Sequence, residues 1–383
     1  MSILDEIIAG GVERQDMPCV VATVVDSKGV LWEGSAGRAN AQHAAGPETV
    51  FRLWSMTKAI GSIAAMIMVE RGAMSLETPV GDVVPGFDEL QVCESIGPDG
   101  PVFRQPRRRA TLRHLLTHTS GLAYAAFDQK MLDYQTAFPE PDHTSGKLSG
   151  FNYPLMFDPG EGFTYGIGVD WACRMVQCLD GRTIDRFVTD EIMSPLEMEN
   201  SFFEVDTVRE RLVDAVQRQP DGYVPMAASP PSNPEFYGMG HSMYGTASDY
   251  AKMTRLVLNK GVFGEHRVFG DEAYQLLTTS QIGGQLIPNP IVSCIPSVSA
   301  DIELLDGLPM TATAGFFRNE AAAPGKRSAG SLTWGGYMNT HYWIDPEKNV
   351  AAVVMSQFCP FYDPPFMAVL DQFERQVYNL YRP

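Results

Sequence analysis

The chain of 383 residues reads as an α/β fold in which an antiparallel sheet is flanked by helices and a helical domain is inserted. Three observations predict this. Strand-like runs rich in β-branched residues stand near both ends, at 18–25 and 29–36 and again at 311–318, 332–344 and 350–357. From about residue 77 to 237, loops rich in Pro and Gly alternate with short helical patterns instead. Near the C-terminus, Phe366, Leu370, Phe373, Val377 and Leu380 recur at spacings of three and four, the apolar stripe of a helix packed on a sheet. The expected division is therefore an α/β domain of residues 1–76 and 238–383 around a helical domain of 77–237. A cleft between two such parts is a usual place for a small-molecule site.

Each element has a local reason. Residues 3–14 read as an amphipathic helix, and the first two strands are joined through Asp26-Ser27-Lys28-Gly29, a hairpin turn by composition. After Phe51 comes FRLWSMTKAIGSIAAMIMVERG, apolar and small for more than three helical turns and stopped near Gly72. Further on, TLRHLLTH at 111–118 starts on a Thr able to cap a helix and is stopped by Thr119-Ser120-Gly121. Helical patterns follow at 169–179 and 183–193, and the four prolines of 224–237 mark a loop. Two more helices are expected at 247–259, stopped by Gly261, and at 271–277. Asp345-Pro346-Glu347-Lys348-Asn349 reads as the turn between the last two strands.

Composition narrows the function classes. A hydrophobic content of 44% with 20% charged residues is that of a globular chain with a sizeable core. A formal net charge of -17 argues against nucleic acid and anionic membrane as partners. The cluster Arg104, Arg107, Arg108, Arg109 and Arg113 has no interleaved aromatics and reads as a solvated surface patch or a set of salt-bridge donors. The N-terminus carries Asp5 and Glu6 and no basic leader, and no run of about 18 apolar residues occurs, so a full-length chain would be cytoplasmic with no membrane span. Cys19, Cys93, Cys173, Cys178, Cys294 and Cys359 are scattered without a C-x-x-C pair and read as free core thiols, not a disulfide frame or a zinc site.

The chemistry starts at Ser55-Met56-Thr57-Lys58, a Ser-x-x-Lys motif. A spacing of three puts both side chains on one helical face. A serine at a helix start is a candidate nucleophile, because the helix N-terminus and a nearby ammonium both favour developing negative charge. The bland alternative is a capping serine with a snorkelling lysine. Tyr165 lies in Asp158-Pro159-Gly160-Glu161-Gly162-Phe163-Thr164-Tyr165-Gly166, a turn-rich entry to a helix, and beside Lys58 it could take the serine proton. It could equally be a half-buried tyrosine bonded to backbone. Trp334-Gly335-Gly336 begins an expected strand, where two glycines allow a ligand or backbone to approach closely. Two other patterns carry less. Gly240-His241-Ser242-Met243-Tyr244 is one glycine short of a G-x-S-x-G elbow and lacks its strand-turn-helix setting, so Ser242 reads as a loop residue. His114 and His118 stand four apart on the expected helix, without the Glu or third ligand that a metal site needs.

The order Ser-x-x-Lys, LLTHTSGL at 115–122, DPGEGFTYG and WGG resembles the class C β-lactamase-like serine hydrolases, and more narrowly the family VIII carboxylesterases. MSPLEM at 193–198 and TASDY at 246–250 also fit, so the likeness runs from Val20 to about Gln357. It implies a serine β-lactamase/penicillin-binding-protein-like fold with the site between its two domains. By that resemblance Ser55 is the nucleophile, Lys58 the proton-transfer partner and Tyr165 the base. The backbone N–H groups of Ser55 and Tyr337 would form the oxyanion hole. Trp334, Gly335, Gly336 and Ile167 would border the substrate. Ile167 replaces the Asn of the β-lactamase Tyr-x-Asn motif, and Trp334 the Lys of its Lys-Thr-Gly motif. Both changes remove polar groups.

The expected activity is hydrolysis of short to medium chain or aromatic esters through an acyl-enzyme, with no metal and no organic cofactor. Its partner is a small-molecule ester. Tyr124, Phe127, Phe163, Phe236, Tyr237 and Tyr337 would supply an aromatic lining. The alternatives on the same site are transesterification, hydrolysis of small amides or β-lactam hydrolysis, and from another class a catalytically silent binding protein. Oligomeric state is not legible in the sequence.

Overall fold

In the computed structural model, which describes residues 2–139, 141–206 and 208–381, seven antiparallel strands form the main sheet. They are β1 (Cys19–Val25), β2 (Val30–Gly37), β3 (Met310–Ala312), β4 (Phe317–Asn319), β5 (Leu332–Gly336), β6 (Thr340–Asp345) and β7 (Val350–Met355). Their spatial order is β3-β4-β5-β6-β7-β1-β2, so the N-terminal hairpin joins the C-terminal meander through the pair Val21↔Met355. The β1–β2 turn closes as the composition suggests, with Asp26 Oδ1 accepting from the N–H groups of Lys28 at 2.7 Å and Gly29 at 2.8 Å.

The helices that matter are α1 (Ile3–Glu13), α2 (Thr57–Glu70), α3 (Leu112–Leu116), α4 (Gly168–Asp180), α5 (Ala247–Leu258) and α6 (Pro364–Leu380). Strand β1 is buried on both faces and shows how the layers form. Val20, Ala22 and Val24 point to a cluster with Leu4 and Ile8 of α1 and Phe366, Phe373 and Val377 of α6. Cys19, Val21 and Val25 point the other way, into the cluster that holds Met56, Ile60, Ile63 and the helical residues beyond. This is the period of two expected of a strand between two layers. Helix α1 opens on a reciprocal cap, Ser2 Oγ accepting from Asp5 N–H at 3.2 Å and Asp5 from Ser2 N–H at 2.6 Å. Helix α6 opens on Asp363, whose carboxylate accepts from Phe366 N–H, with Pro364 and Pro365 in the first turn.

Helix α2 is the axis of the molecule, for every residue from Thr57 to Val69 is buried. A helix buried all round belongs inside a core, and α2 packs against α4 and the short helices Asp271–Thr278 and Ile184–Val188.

Five expectations need correction in detail. Cys178 is exposed and Cys294 half-buried, so only four of the six free thiols are core residues. The run 311–318 is a tight hairpin of β3 and β4, not one strand. The run 332–344 is likewise two strands, because Met338 (φ 76°) and Asn339 (φ 64°) turn the chain between β5 and β6. Trp334-Gly335-Gly336 therefore ends a strand where the sequence suggested it begins one. The stretch 77–237 also holds two exposed hairpins, Val92–Gly97 with Gly100–Arg104 and Val216–Gln219 with Gly222–Pro225. Their short, charged strands lack the apolar alternation that would have revealed them.

Candidate active site

The chain reaches the site through a short strand, Phe51–Arg52, paired with Tyr244–Gly245. Leu53 N–H continues that pairing to the Met243 carbonyl at 2.9 Å. Trp54 then adopts φ 46°, a left-handed conformation uncommon outside glycine, and swings the chain into the turn Trp54–Met56 that precedes α2. Ser55 thus sits at the mouth of α2, with Lys58 one turn further in.

Lys58 is 3% exposed, yet each of its three donors has a place to go. Its Nζ lies 3.3 Å from Ser55 Oγ, 3.0 Å from Tyr124 Oη and 3.1 Å from the Gly240 carbonyl. It also stands 4.9 Å from the centre of the Tyr124 ring and 5.0 Å from that of Tyr165. Ser55 and Lys58 are therefore brought together as their spacing predicts.

Two motif loops supply the tyrosines. Helix α3 ends at Leu116, and His118 follows in the left-handed region (φ 58°). His114 and His118 consequently do not share a helical face, which removes the geometry behind a two-histidine metal reading. His114 Nδ1 accepts from Thr111 N–H at 3.1 Å and caps the helix. His118 is buried against the Tyr165 ring, and that burial pushes its pKa down to about 3. The two loops are laced together by Thr164 N–H to the His118 carbonyl and Tyr124 N–H to the Tyr165 carbonyl, each 3.0 Å. Asp158 anchors the second loop from below. Arg104 grips its carboxylate with two bonds of 2.8 and 2.6 Å and holds its pKa down to about 2. The arginine cluster is in this way spent on ion pairs, Arg109 with Asp82 and Asp88 and Arg113 with Glu77 among them.

The Tyr165 hydroxyl does not meet Ser55 as expected. It accepts a 2.8 Å hydrogen bond from Trp334 Nε1, so the indole donor of the strand motif is spent inside the protein. The phenol bonded to Lys58 is that of Tyr124, which sequence reasoning had only as a lining aromatic. Its position two residues beyond the Ser-Gly-Leu of the histidine loop was the available signal. The Gly240 carbonyl was missed too, because the segment around it read as a failed nucleophile elbow. Ser242 itself is buried in that loop, away from the cavity lining.

The cavity in front of Ser55 holds about 300 Å³. Trp54, Tyr124, Phe127, Trp334, Tyr337 and Phe361 form its aromatic walls, and Ile295 and Val298 close one side. Gln135, His143 and His241 are its polar patch; burial drives His143 down to about 4 and His241 well below the usual range, so both imidazoles are neutral. Among the described residues that line it there is no Arg or Lys. Of the expected aromatic lining, Phe163, Phe236 and Tyr237 lie elsewhere: Phe163 packs on Phe317, Phe236 on Phe151, and Tyr237 donates to Glu204 at 2.8 Å. Ile167 is also corrected, since it is fully buried at the start of α4 and does not border the cavity. A larger cleft of about 460 Å³ borders β5, β6 and α6, and its cations are held in ion pairs, Lys326 with Asp371 and Arg327 with Glu374.

Gly336 makes the meeting of strand and nucleophile possible. A Cβ there would stand 2.2 Å from the Leu53 carbonyl oxygen, so only glycine lets the end of β5 approach the turn that carries Ser55. The Trp54 and Tyr337 rings then meet edge to face at 5.4 Å.

Comparison with known proteins agrees with this geometry. A family model described as Beta-lactamase matches residues 4–365. The chain is 30% identical to a protein named lovastatin esterase from Penicillium rubens, over 87% of this chain and 86% of that one. It is 26% identical to a monacolin J acid methylbutanoyltransferase from Aspergillus terreus, over 88% of this chain and 83% of that one. Among solved structures it matches a LovD6 mutant of simvastatin synthase from Aspergillus terreus, with a TM-score of 0.85 and 24% identity over 99% of this chain and 96% of that one. The chain belongs to the beta-lactamase family, and it is an enzyme of the serine hydrolase superfamily that its likeness to the family VIII carboxylesterases implied.

Proposed function

We propose that this protein is a serine carboxylesterase that hydrolyses short to medium chain or aromatic esters through an acyl-enzyme on Ser55. The observation that carries the proposal is the 3.3 Å approach of Lys58 Nζ to Ser55 Oγ at the floor of an aromatic cavity. In its neutral form the lysine keeps two N–H bonds, to the Gly240 carbonyl and Tyr124, and directs its lone pair at Ser55 Oγ–H. Ser55 Oγ attacks the ester carbonyl while its proton passes to Lys58. The N–H groups of Ser55 and Tyr337 receive the oxyanion. When the intermediate collapses, the C–O bond to the alcohol breaks and the leaving oxygen takes a proton. Tyr165 is suited to deliver it, for Trp334 occupies one lone pair of its oxygen and leaves its own O–H free. Lys58 then restores the tyrosine proton. Water repeats the sequence in reverse and releases the acid.

A second reading, transfer of the acyl group to an alcohol other than water, draws support from the methylbutanoyltransferase relative. The two readings share the acyl-enzyme and differ in the acceptor. Adding a primary alcohol to a p-nitrophenyl butyrate assay separates them: under hydrolysis butyrate dominates, whereas under transfer the new ester accumulates and p-nitrophenol release rises with alcohol concentration.

Esters are expected to be turned over far better than β-lactams. A β-lactam brings a carboxylate next to its reacting carbonyl. No lysine or arginine is among the described residues lining the cavity, the Trp334 N–H is bonded to Tyr165, and Lys58 Nζ is already engaged by Ser55, Tyr124 and the Gly240 carbonyl. A missing hydrogen bond to a charged group costs roughly 1.5–3 kcal/mol, or about tenfold to a hundredfold in binding. Measuring kcat/KM for p-nitrophenyl butyrate and a chromogenic cephalosporin on one preparation tests this. A cephalosporin value equal to or above the ester value would sink the esterase reading.

Gly336→Ala is expected to lower kcat by about 10²-fold or more, the scale of losing one oxyanion donor. Its methyl must push β5 away from Leu53, and the Tyr337 N–H moves with it. An alanine variant with native kcat and an unchanged melting temperature would refute this placement of the oxyanion hole.

A further inference from the structure

We propose that Asp170 is a positioning residue for Lys58 and acts through the Gly240 peptide; this rests on the reading of Ser55 and Lys58 as the reacting pair. Residue 240 is held from both sides. Its N–H donates to Asp170 Oδ1 at 2.7 Å, and its carbonyl accepts from Lys58 Nζ at 3.1 Å. The packing is close enough that a Cβ at Gly240 would lie 2.6 Å from Asp170 Oδ2 and 2.9 Å from Tyr124 Oη. The carboxylate and the phenol bonded to Lys58 thus flank the same α-carbon. A shift of the 238–242 turn would move the carbonyl that orients the lysine.

Asp170 looks costly unless it has such a role. It is 0% exposed, in the first turn of α4, and its Oδ2 has no hydrogen-bond partner. A buried carboxylate oxygen without a partner is destabilising. An uncharged side chain could fill the space at less expense in solvation. The titratable groups packed around the line from Asp170 through Gly240 to Lys58 are Tyr124, Tyr165, His118, His143, His241 and Cys173. Burial and the Asp170 charge push Tyr124 and Cys173 well up, and burial pushes the three histidines down, so those five are neutral near pH 7. Asp170, raised by burial to about 6 against the pull of Lys58 and the Gly240 N–H, is ionised there. In this pocket the carboxylate is the counter-charge of the lysine, one peptide away.

Two variants separate the parts of this role. Asp170→Asn keeps an oxygen for the Gly240 N–H and removes the charge. Asp170→Ala removes both. For p-nitrophenyl butyrate, Asp170→Ala should lower kcat by about 10²-fold or more, the lower end of what a positioned base contributes, with KM changed less than about threefold. Asp170→Asn should recover part of kcat, and the acidic limb of its kcat/KM profile should move to lower pH by about one unit or more, because the carboxyl that burial raises to about 6 no longer titrates there. An Asn variant with the wild-type kcat and an unshifted profile would overturn the proposal. So would losses in both variants that only track the folded fraction measured by circular dichroism. If Asp170→Ala does not fold, the Asn profile decides alone. Fluorophosphonate labelling tells the two readings apart: an unlabelled, inactive wild type overturns the Ser55 assignment and this proposal with it, whereas a labelled, active wild type with unaffected Asp170 variants overturns the positioning role alone.

Discussion

Replacing Ser55 by alanine is expected to lower kcat for p-nitrophenyl butyrate by about 10⁴-fold or more, the scale of deleting a covalent nucleophile. The size of the effect follows from the surroundings, since among the described residues no other serine or threonine hydroxyl of the cavity lining is placed to substitute. Ser299 lines the same cavity but donates to the Ala300 carbonyl at 2.7 Å. Thr144 lines it too, and its hydroxyl is bonded to Asp142 at 2.7 Å. Ser242 is buried outside the cavity lining. Lys58 reaches none of the three and reaches Ser55. The variant should keep its fold, because Ser55 lies at a cavity edge and loses one 3.3 Å contact. A fluorophosphonate probe should label wild type and leave Ser55→Ala unlabelled, with both melting within a few degrees. Labelling that survives in the alanine variant would move the nucleophile elsewhere, and a folded wild type that never labels would favour the silent binding protein.

Removal of Lys58 is expected to have the next largest effect, about 10²- to 10⁴-fold in kcat, which is the range for general base catalysis. Lys58→Met is the sharper variant, for it keeps most of the volume of a buried side chain and deletes the nitrogen. Its loss leaves the Gly240 carbonyl and Tyr124 without their donor and Asp170 without its counter-charge. Labelling should slow in proportion to kcat, while KM changes little. The two phenols are expected to divide. Tyr165→Phe should lower kcat by about 10²-fold and leave the buried Trp334 N–H unpaired, a penalty of about 1–3 kcal/mol in stability. Tyr124→Phe should cost about tenfold, since a hydrogen bond to a charged group is worth about 1.5–3 kcal/mol and Lys58 keeps its other two. A near-native kcat in Tyr165→Phe beside a large loss in Tyr124→Phe would transfer the proton role to Tyr124, the phenol that touches the lysine.

How far the sequence reached can be judged residue by residue. The pairing of Ser55 with Lys58 was legible because helical geometry alone sets it, at a distance of three residues. The layered sheet was legible because β1 is a run rich in β-branched residues and α6 carries the period of three to four that burial on one side imposes. Charge without aromatic company limited the arginine cluster to a solvated patch or salt-bridge donors, and the packed loops decided for ion pairs. These are local properties, and the beta-lactamase fold they belong to was reached through the order of motifs along the chain.

What the tertiary structure alone decided is which groups meet across the cavity. Tyr124 and Tyr165 are 41 residues apart and both border Lys58, and only the lacing of their two loops assigns one hydroxyl to the lysine and the other to the indole of Trp334, 169 residues beyond Tyr165. Ile167 lies two residues from Tyr165 in sequence, yet the start of α4 turns it into the core. Asp170 and Gly240 are separated by 70 residues and form a single bonded unit under Lys58. Hydrogen bonds of this kind are set by distance and direction between elements packed side by side. Spacing within one element fixes which side chains share a face, but the packing of α2, α4, β5 and the intervening loops determines which donor finds which acceptor.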